Sequence, residues 1–217
     1  MKVFITILNY IDIGAPLVTL FFFIKPFKVL PKELIYVFWF VCIQFFTNLC
    51  ASILELMIIT NYSMYAANII LSFGVLSALF YKVSNPSIRK LIPAASVIFA
   101  ICAVFSIVNG DGIRSYNSMV SALASFIITA YCLMYFYWKL VTNTKVAGLT
   151  ESSFFWIVIG LFTYYTGSFF IFMSYKYLIV QGDNNIVSIL WRFHNVLLTI
   201  FCSYTIYGLT CKDYRKT

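Results

Sequence analysis

The sequence predicts an all-α integral membrane protein, a polytopic bundle of seven transmembrane helices forming a single domain over residues 1–217. Composition is the first reason. Hydrophobic residues make up 62% of the chain and charged residues 10%, whereas soluble domains are about half apolar and about a quarter charged. Mean hydropathy is +0.93. Periodic segmentation is the second reason. Apolar stretches of about 20 residues, the length needed to cross a hydrocarbon core, follow one another with connectors too short to hold a soluble domain.

The spans fall at 4–24, 35–58, 64–82, 91–109, 117–139, 154–175 and 188–209. The first is interrupted by Asn9 and Asp12 and shows no small-residue cleavage site before Lys25, so it reads as a retained helix and not a signal peptide. KPFKVLPKE, ITNYS, KVSNPSIRK, NGDGIRSYN, TNTKVAGLTESS and QGDNN separate the spans. ITNYS is the shortest division, and six crossings with one re-entrant segment is the alternative there.

The cations alternate from connector to connector. Lys25, Lys28, Lys32, Lys82, Arg89, Lys90, Lys139, Lys145, Lys212, Arg215 and Lys216 fall on one side, and Lys2, Arg114, Lys176 and Arg192 on the other. The positive-inside rule then places the N-terminus outside and the C-terminus in the cytoplasm, in the cell inner (plasma) membrane. The net charge of +8 is spread over helix ends, which suits topology and anionic headgroups better than direct nucleic-acid binding. Tyr62, Tyr65, Tyr116, Tyr175 and Trp191 are expected at the outer interface, and Trp138, Trp156, Tyr207 and Tyr214 at the inner one.

Ionisable residues inside a span cost about 2.5–3.5 kcal/mol on insertion scales and are functional candidates for that reason. Asp12, Glu55, Arg192 and His194 qualify, all in the outer half. Asp12 lies roughly 12 Å inside the first span at 1.5 Å per residue. Gln44, Asn48, Ser52 and Glu55 share one face of the second span. Asn68 and Ser72 in the third span, Ser118, Ser121, Ser125 and Thr129 in the fifth, Thr163 to Ser168 with Tyr165 in the sixth, and Trp191, His194, Asn195 and Thr199 in the seventh add polar positions. These stripes are expected to face one another around an outward-opening cavity, with Arg192 paired to Asp12 or Glu55. Inter-helix hydrogen bonding alone is the competing explanation for the amides and hydroxyls.

Several chemistries are excluded. The seventh span has no lysine for a retinal Schiff base, and a single histidine cannot supply both axial ligands of a b-type haem. HExxH, GxSxG and phosphate-loop motifs are absent. The six cysteines form no CxxC pair, so no metal and no cofactor is expected and the cysteines read as small packing residues.

The segments FFWIVIGLFTYYTGSFFIF and SILWRFHNVLLTIFCSYTIYG carry Phe155, Trp156, Tyr165, Gly167, Trp191 and His194. In these the chain resembles a group of uncharacterised bacterial seven-helix membrane proteins. The resemblance implies the seven-helix architecture and marks His194 as a position of interest, and it implies no activity. Where that group often has acids in spans three and five, this chain has Asn68 and hydroxyls.

The leading functional reading is a non-enzymatic membrane sensor or accessory protein. Its outward cavity takes a small molecule or membrane lipid, and its basic face meets a cytoplasmic protein partner of a signalling or defence system. The alternatives are an intramembrane lipid-modifying enzyme of lysoplasmalogenase type, with Asp12 and Glu55 as acid and base beside His194, and a homo-oligomeric pore or transporter.

Overall fold

The computed structural model describes residues 2–24, 30–109, 115–142, 151–180, 182 and 184–211. Its elements are α1 (Lys2–Ile24), α2 (Lys32–Leu56), α3 (Tyr62–Val83), α4 (Pro86–Arg89), α5 (Leu91–Asn109), α6 (Ser118–Thr142), α7 (Ser153–Val180) and α8 (Asn184–Thr210). Among the described residues there is no strand. Six helical stretches are long and apolar enough to cross a membrane, from Lys32–Leu56 to Asn185–Thr210, and Tyr10–Ile24 in α1 is a shorter apolar one. The protein is therefore an all-α bundle with the build of a multi-pass membrane protein. The side chains of Lys2, Asn9, Lys25, Lys28, Arg114, Lys145, Lys176, Lys212, Tyr214, Arg215 and Lys216, used in the sequence reading, lie outside the described residues.

Contacts between the helices define a closed ring. α1 packs on α2, α2 on α3, α3 on α6, α6 on α7, α7 on α8, and α8 returns to α1. α5 stands outside this ring against α3 and α6. Its sequence explains the placement. It is the most hydrophobic of the candidate spanning helices and the least buried, 17% of its apolar window, so the rest of the chain covers only a narrow strip of it. Phe99 of that strip stacks on Phe73 of α3 with ring centroids 3.9 Å apart.

Local signals set the helix ends. Pro86 occupies the first turn of α4, and the Asn85 side chain accepts a 2.9 Å hydrogen bond from the Ile88 amide, the usual arrangement at a helix start. α2 stops where Ile58 takes φ 59. The Ile59 amide donates to the Leu54 carbonyl and the Ile58 amide to the Glu55 carbonyl, which closes the helix with a left-handed residue. A β-branched residue is strained there. It is 95% exposed and borders the open vestibule described below.

The tightest seam runs between α7 and α8. A Cβ on Gly160 would lie 2.9 Å from Tyr204 Cβ and 3.2 Å from the Phe201 carbonyl oxygen, and one on Gly208 would lie 2.7 Å from the Ser153 carbonyl oxygen. One on Gly167 would collide with Leu197 Cδ1. Small residues that let backbones approach are the usual means of joining helices in lipid, where apolar surface gains nothing by leaving the solvent. Cys42, Cys132 and Cys202 are buried, in keeping with a packing role, while Cys50 and Cys102 are exposed and do not pack within this chain.

Candidate functional site

The ring encloses two connected spaces at the end of the bundle where α2 finishes and α3 and α8 begin. The outer space is an open vestibule of about 780 Å³ lined by Tyr10, Asp12, Ser52, Glu55, Tyr62, Tyr65, Tyr116, Tyr175, Trp191, Arg192 and Asn195, among others. The inner one is a central cavity of about 50 Å³, room for a few water molecules. Asp12, Gln44, Asn48, Asn68, Tyr164, Tyr165, His194 and Asn195 line it, with Ser72, Ser121 and Ser125. Asp12, Tyr65, Tyr116, Trp191 and Asn195 border both spaces. Of the polar positions expected to face a shared cavity, Glu55 and Arg192 border the vestibule, Gln44, Asn48, Asn68, Tyr165 and His194 the cavity, and Asp12 and Asn195 both, whereas Ser118, Thr129, Thr163, Ser168 and Thr199 line neither.

The polar face of α2 forms a ladder into the bundle. Glu55 and Ser52 stand at the mouth, and Asn48 and Gln44 reach the cavity in turn. Gln44 Nε2 donates to Asn68 Oδ1 and to Ser72 Oγ, each at 3.0 Å. Asn68 Nδ2 returns a 3.2 Å bond to Gln44 Oε1, and Ser72 Oγ donates to Asn68 Oδ1 at 2.7 Å. The two amides and the hydroxyl thus satisfy one another across α2 and α3, as buried polar groups must. One turn deeper Phe40 and Phe201 meet edge to face at 5.3 Å, and both are fully buried. They close the floor with apolar packing.

Asn48 has a different task. Its Nδ2 donates at 3.0 Å to the backbone carbonyl of Asp12. In a regular helix that carbonyl would accept from the amide of residue 16, but residue 16 is Pro16, inside α1, which has no amide hydrogen. α2 therefore supplies the donor that α1 lacks, the kind of compensation that lets proline persist in membrane helices. Asn48→Ala should lower stability by about 1 kcal/mol. In a Pro16→Ala background, where the backbone amide is restored, the same change should cost less than half as much. Chemical denaturation of the four proteins of this cycle measures the coupling, and additive effects would refute the compensation.

His194 sits among hydroxyls and rings. Its Nε2 is 3.2 Å from Tyr164 Oη and its Nδ1 is 3.0 Å from Ser168 Oγ. Trp191, Phe172 and Tyr164 surround the imidazole with centroids 5.6, 5.1 and 5.2 Å away. Tyr164 and Ser168 are thus the members of the TYYTGS run that bond His194. The neighbouring Tyr165 borders the same cavity and packs on Phe40 with centroids 6.2 Å apart.

The aromatic residues expected at the outer interface require correction. Tyr116 is buried, Tyr65, Tyr175 and Trp191 are half-buried, and the four form one inward cluster. Tyr65 and Trp191 meet at 5.2 Å, Tyr116 and Trp191 at 5.5 Å, and Tyr116 and Tyr175 at 4.8 Å. All four line the vestibule, and Tyr65, Tyr116 and Trp191 also border the cavity, so these three form a collar between the two. At the other end Tyr207 is exposed, with Trp156 against it at 4.9 Å.

Asp12 differs from its neighbours. Only 9% of it is exposed, it stands where vestibule and cavity meet, and its Oδ1 is buried without a hydrogen-bond partner. Ser125 Oγ, on the cavity wall, is likewise without one. Arg192 borders the same vestibule as Asp12 and Glu55. Among the described residues no group of three or more His, Cys, Asp or Glu side chains gathers to hold a metal. No protein-family model, no curated protein and no solved structure matches this chain, so its chemistry is read from its own geometry.

Proposed function

We propose that this protein is a non-enzymatic membrane sensor or accessory protein whose vestibule binds a small solute bearing a protonated amine. The observation that carries the proposal is the Asp12 carboxylate, buried, with an unpartnered oxygen, at the base of an open cavity. A charge held that way is unfavourable unless something completes it. Glu55 adds a second carboxylate, and the collar of Tyr65, Tyr116 and Trp191 presents ring faces of the kind that attract ammonium groups. The vestibule volume of about 780 Å³ lies in the range of small-molecule sites.

Two observations favour binding over chemistry or conduction. Both ring nitrogens of His194 are engaged by hydroxyls, and Ser168 is fully buried, so the imidazole that an Asp12–Glu55–His194 acid–base set would need is already occupied. The packed Phe40–Phe201 floor closes the path a single-chain pore would need. In this reading the vestibule opens outside and the end bearing Lys82, Arg89, Lys90 and Lys139 faces the cytoplasm, where a protein partner receives the signal. A reporter fused after Thr217 is then active only in the cytoplasm.

The binding experiment uses the purified full chain with choline, ethanolamine and tetramethylammonium as probes. At least one should raise the thermal midpoint in proportion to the logarithm of its concentration, as ligand linkage requires. Asp12→Asn, which keeps shape and removes charge, should abolish that response while leaving the unliganded protein as stable or more so. Absence of any shift in the wild type, or an equal shift in Asp12→Asn, overturns the reading.

A further inference from the structure

On the flank of the bundle where α5 stands outside the ring, α3 and α5 leave a third space between them. It is a groove of about 640 Å³ running from Ile70 and Ile107 down to Tyr36, Lys82 and Ile92. Phe73 and Phe99 form its wall, and Gly74, Ala78 and Ala100 make it deep by what they lack. A Cβ on Gly74 would meet nothing within 4 Å. No acidic residue lines it. The helix that forms its outer side is exposed at Val97, Ile101, Val104 and Phe105, so the groove opens sideways into whatever surrounds the bundle and not toward the ring.

The chemistry changes at one end. Lys82 borders the groove there, its Nζ 5.2 Å from the centre of the Tyr36 ring. The Arg89 guanidinium lies 5.3 Å from the centre of the Tyr81 ring, another lining residue. Arg89 Nη2 donates to the carbonyls of Lys82 and Ser84 at 3.3 and 3.4 Å, which holds the guanidinium beside the groove mouth. Its Nε is buried with no partner. An apolar trough ending in two fixed cations matches one molecule type, an acyl chain with a phosphate at its head, and basic pockets between membrane helices are a known mode of headgroup recognition.

We propose that the α3–α5 groove is a binding site for one anionic phospholipid, with an acyl chain lying along Gly74, Ala78 and Ala100 and the phosphate on Lys82 and Arg89. The lipid completes the packing of α5, which the ring itself holds only along a strip.

The test uses the full chain, purified in detergent and titrated with phosphatidylglycerol or phosphatidylcholine of the same acyl composition, with bound lipid counted by native mass spectrometry. One phosphatidylglycerol should be retained in clear preference to phosphatidylcholine. Lys82→Gln should weaken that retention about fivefold, the factor one basic side chain contributes near an anionic headgroup. Gly74→Phe, which projects into open space and spares the packing of the ring, should remove the bound lipid, and Ala100→Phe should do the same from the facing helix. Equal retention of the two lipids overturns the proposal, as does unchanged retention in both filled variants. A dimer that Gly74→Phe converts to monomer with no change in bound lipid assigns the groove to a second copy of this chain and refutes the lipid.

Discussion

Alanine at Gly208 is expected to lower stability by about 1–3 kcal/mol, the usual cost of overpacking, and valine there to abolish the folded protein. A single added carbon would stand 2.7 Å from the carbonyl oxygen of Ser153 and 3.1 Å from Ile157 Cγ1. The first of these is backbone and cannot swing away, so α7 and α8 must separate. Separation propagates, because α8 also carries Trp191, His194 and Asn195 to the cavity and packs against α1. Gly74→Ala is the control. It introduces the same carbon into the same type of secondary structure where nothing lies within 4 Å, and it should stabilise by the roughly 0.5–1 kcal/mol that alanine gains over glycine in a helix. Thermal midpoints of the two variants, read by size-exclusion chromatography after heating, should move in opposite directions. A Gly208→Ala protein that melts with the wild type would show that the helices are not held in this contact.

His194→Ala is expected to lower stability by about 3–5 kcal/mol. Two hydroxyls, Tyr164 Oη and Ser168 Oγ, lose their partner, and each buried orphan costs about 1–3 kcal/mol. The void among Trp191, Phe172 and Tyr164 adds a packing loss. His194→Gln retains an amide able to reach one hydroxyl and should recover part of the difference. Ser168→Ala with His194→Ala should cost less than the sum of the two, since the same interaction is removed twice. Normal membrane levels and an unshifted midpoint for His194→Ala, with loss of function, would instead identify the imidazole as a group acting directly on a ligand.

The contrast between helices and faces explains what was legible in the sequence. The predicted span limits and the helix limits agree within five residues because hydrocarbon thickness imposes length directly on composition, although among the described residues only six of these helices are long and apolar enough to cross a membrane. The polar stripe Gln44–Asn48–Ser52–Glu55 could be placed on one side of α2 by spacing alone, and it does border the two spaces at the centre. Which helix stands outside the ring was less apparent, although α5 is the span for which no polar stripe was found. Direction around a helix is readable from sequence only where a polar stripe marks it. Tyr65, Tyr116 and Trp191 have the depth of interfacial residues and the direction of cavity residues. Tyr164 and Tyr165 are adjacent in sequence but differ by about 100° around α7, and only Tyr164 bonds His194. The short α4 and the left-handed Ile58 arise from local backbone closure, to which hydropathy is blind.

The ties that Asn48 and Gln44 make have a mechanical consequence. The two residues are one turn apart on α2, and one grips α1 while the other grips α3. A rotation of α2 about its own axis must break both at once, and a slide along that axis must stretch both in the same sense. The three helices are thus tied together at two neighbouring turns of α2. The collar residue Tyr65 sits on α3, within this tied set, whereas its ring partners Tyr116 and Trp191 lie on other parts of the chain. The width of the collar is therefore set by how the α1–α2–α3 ties seat α3 against α8.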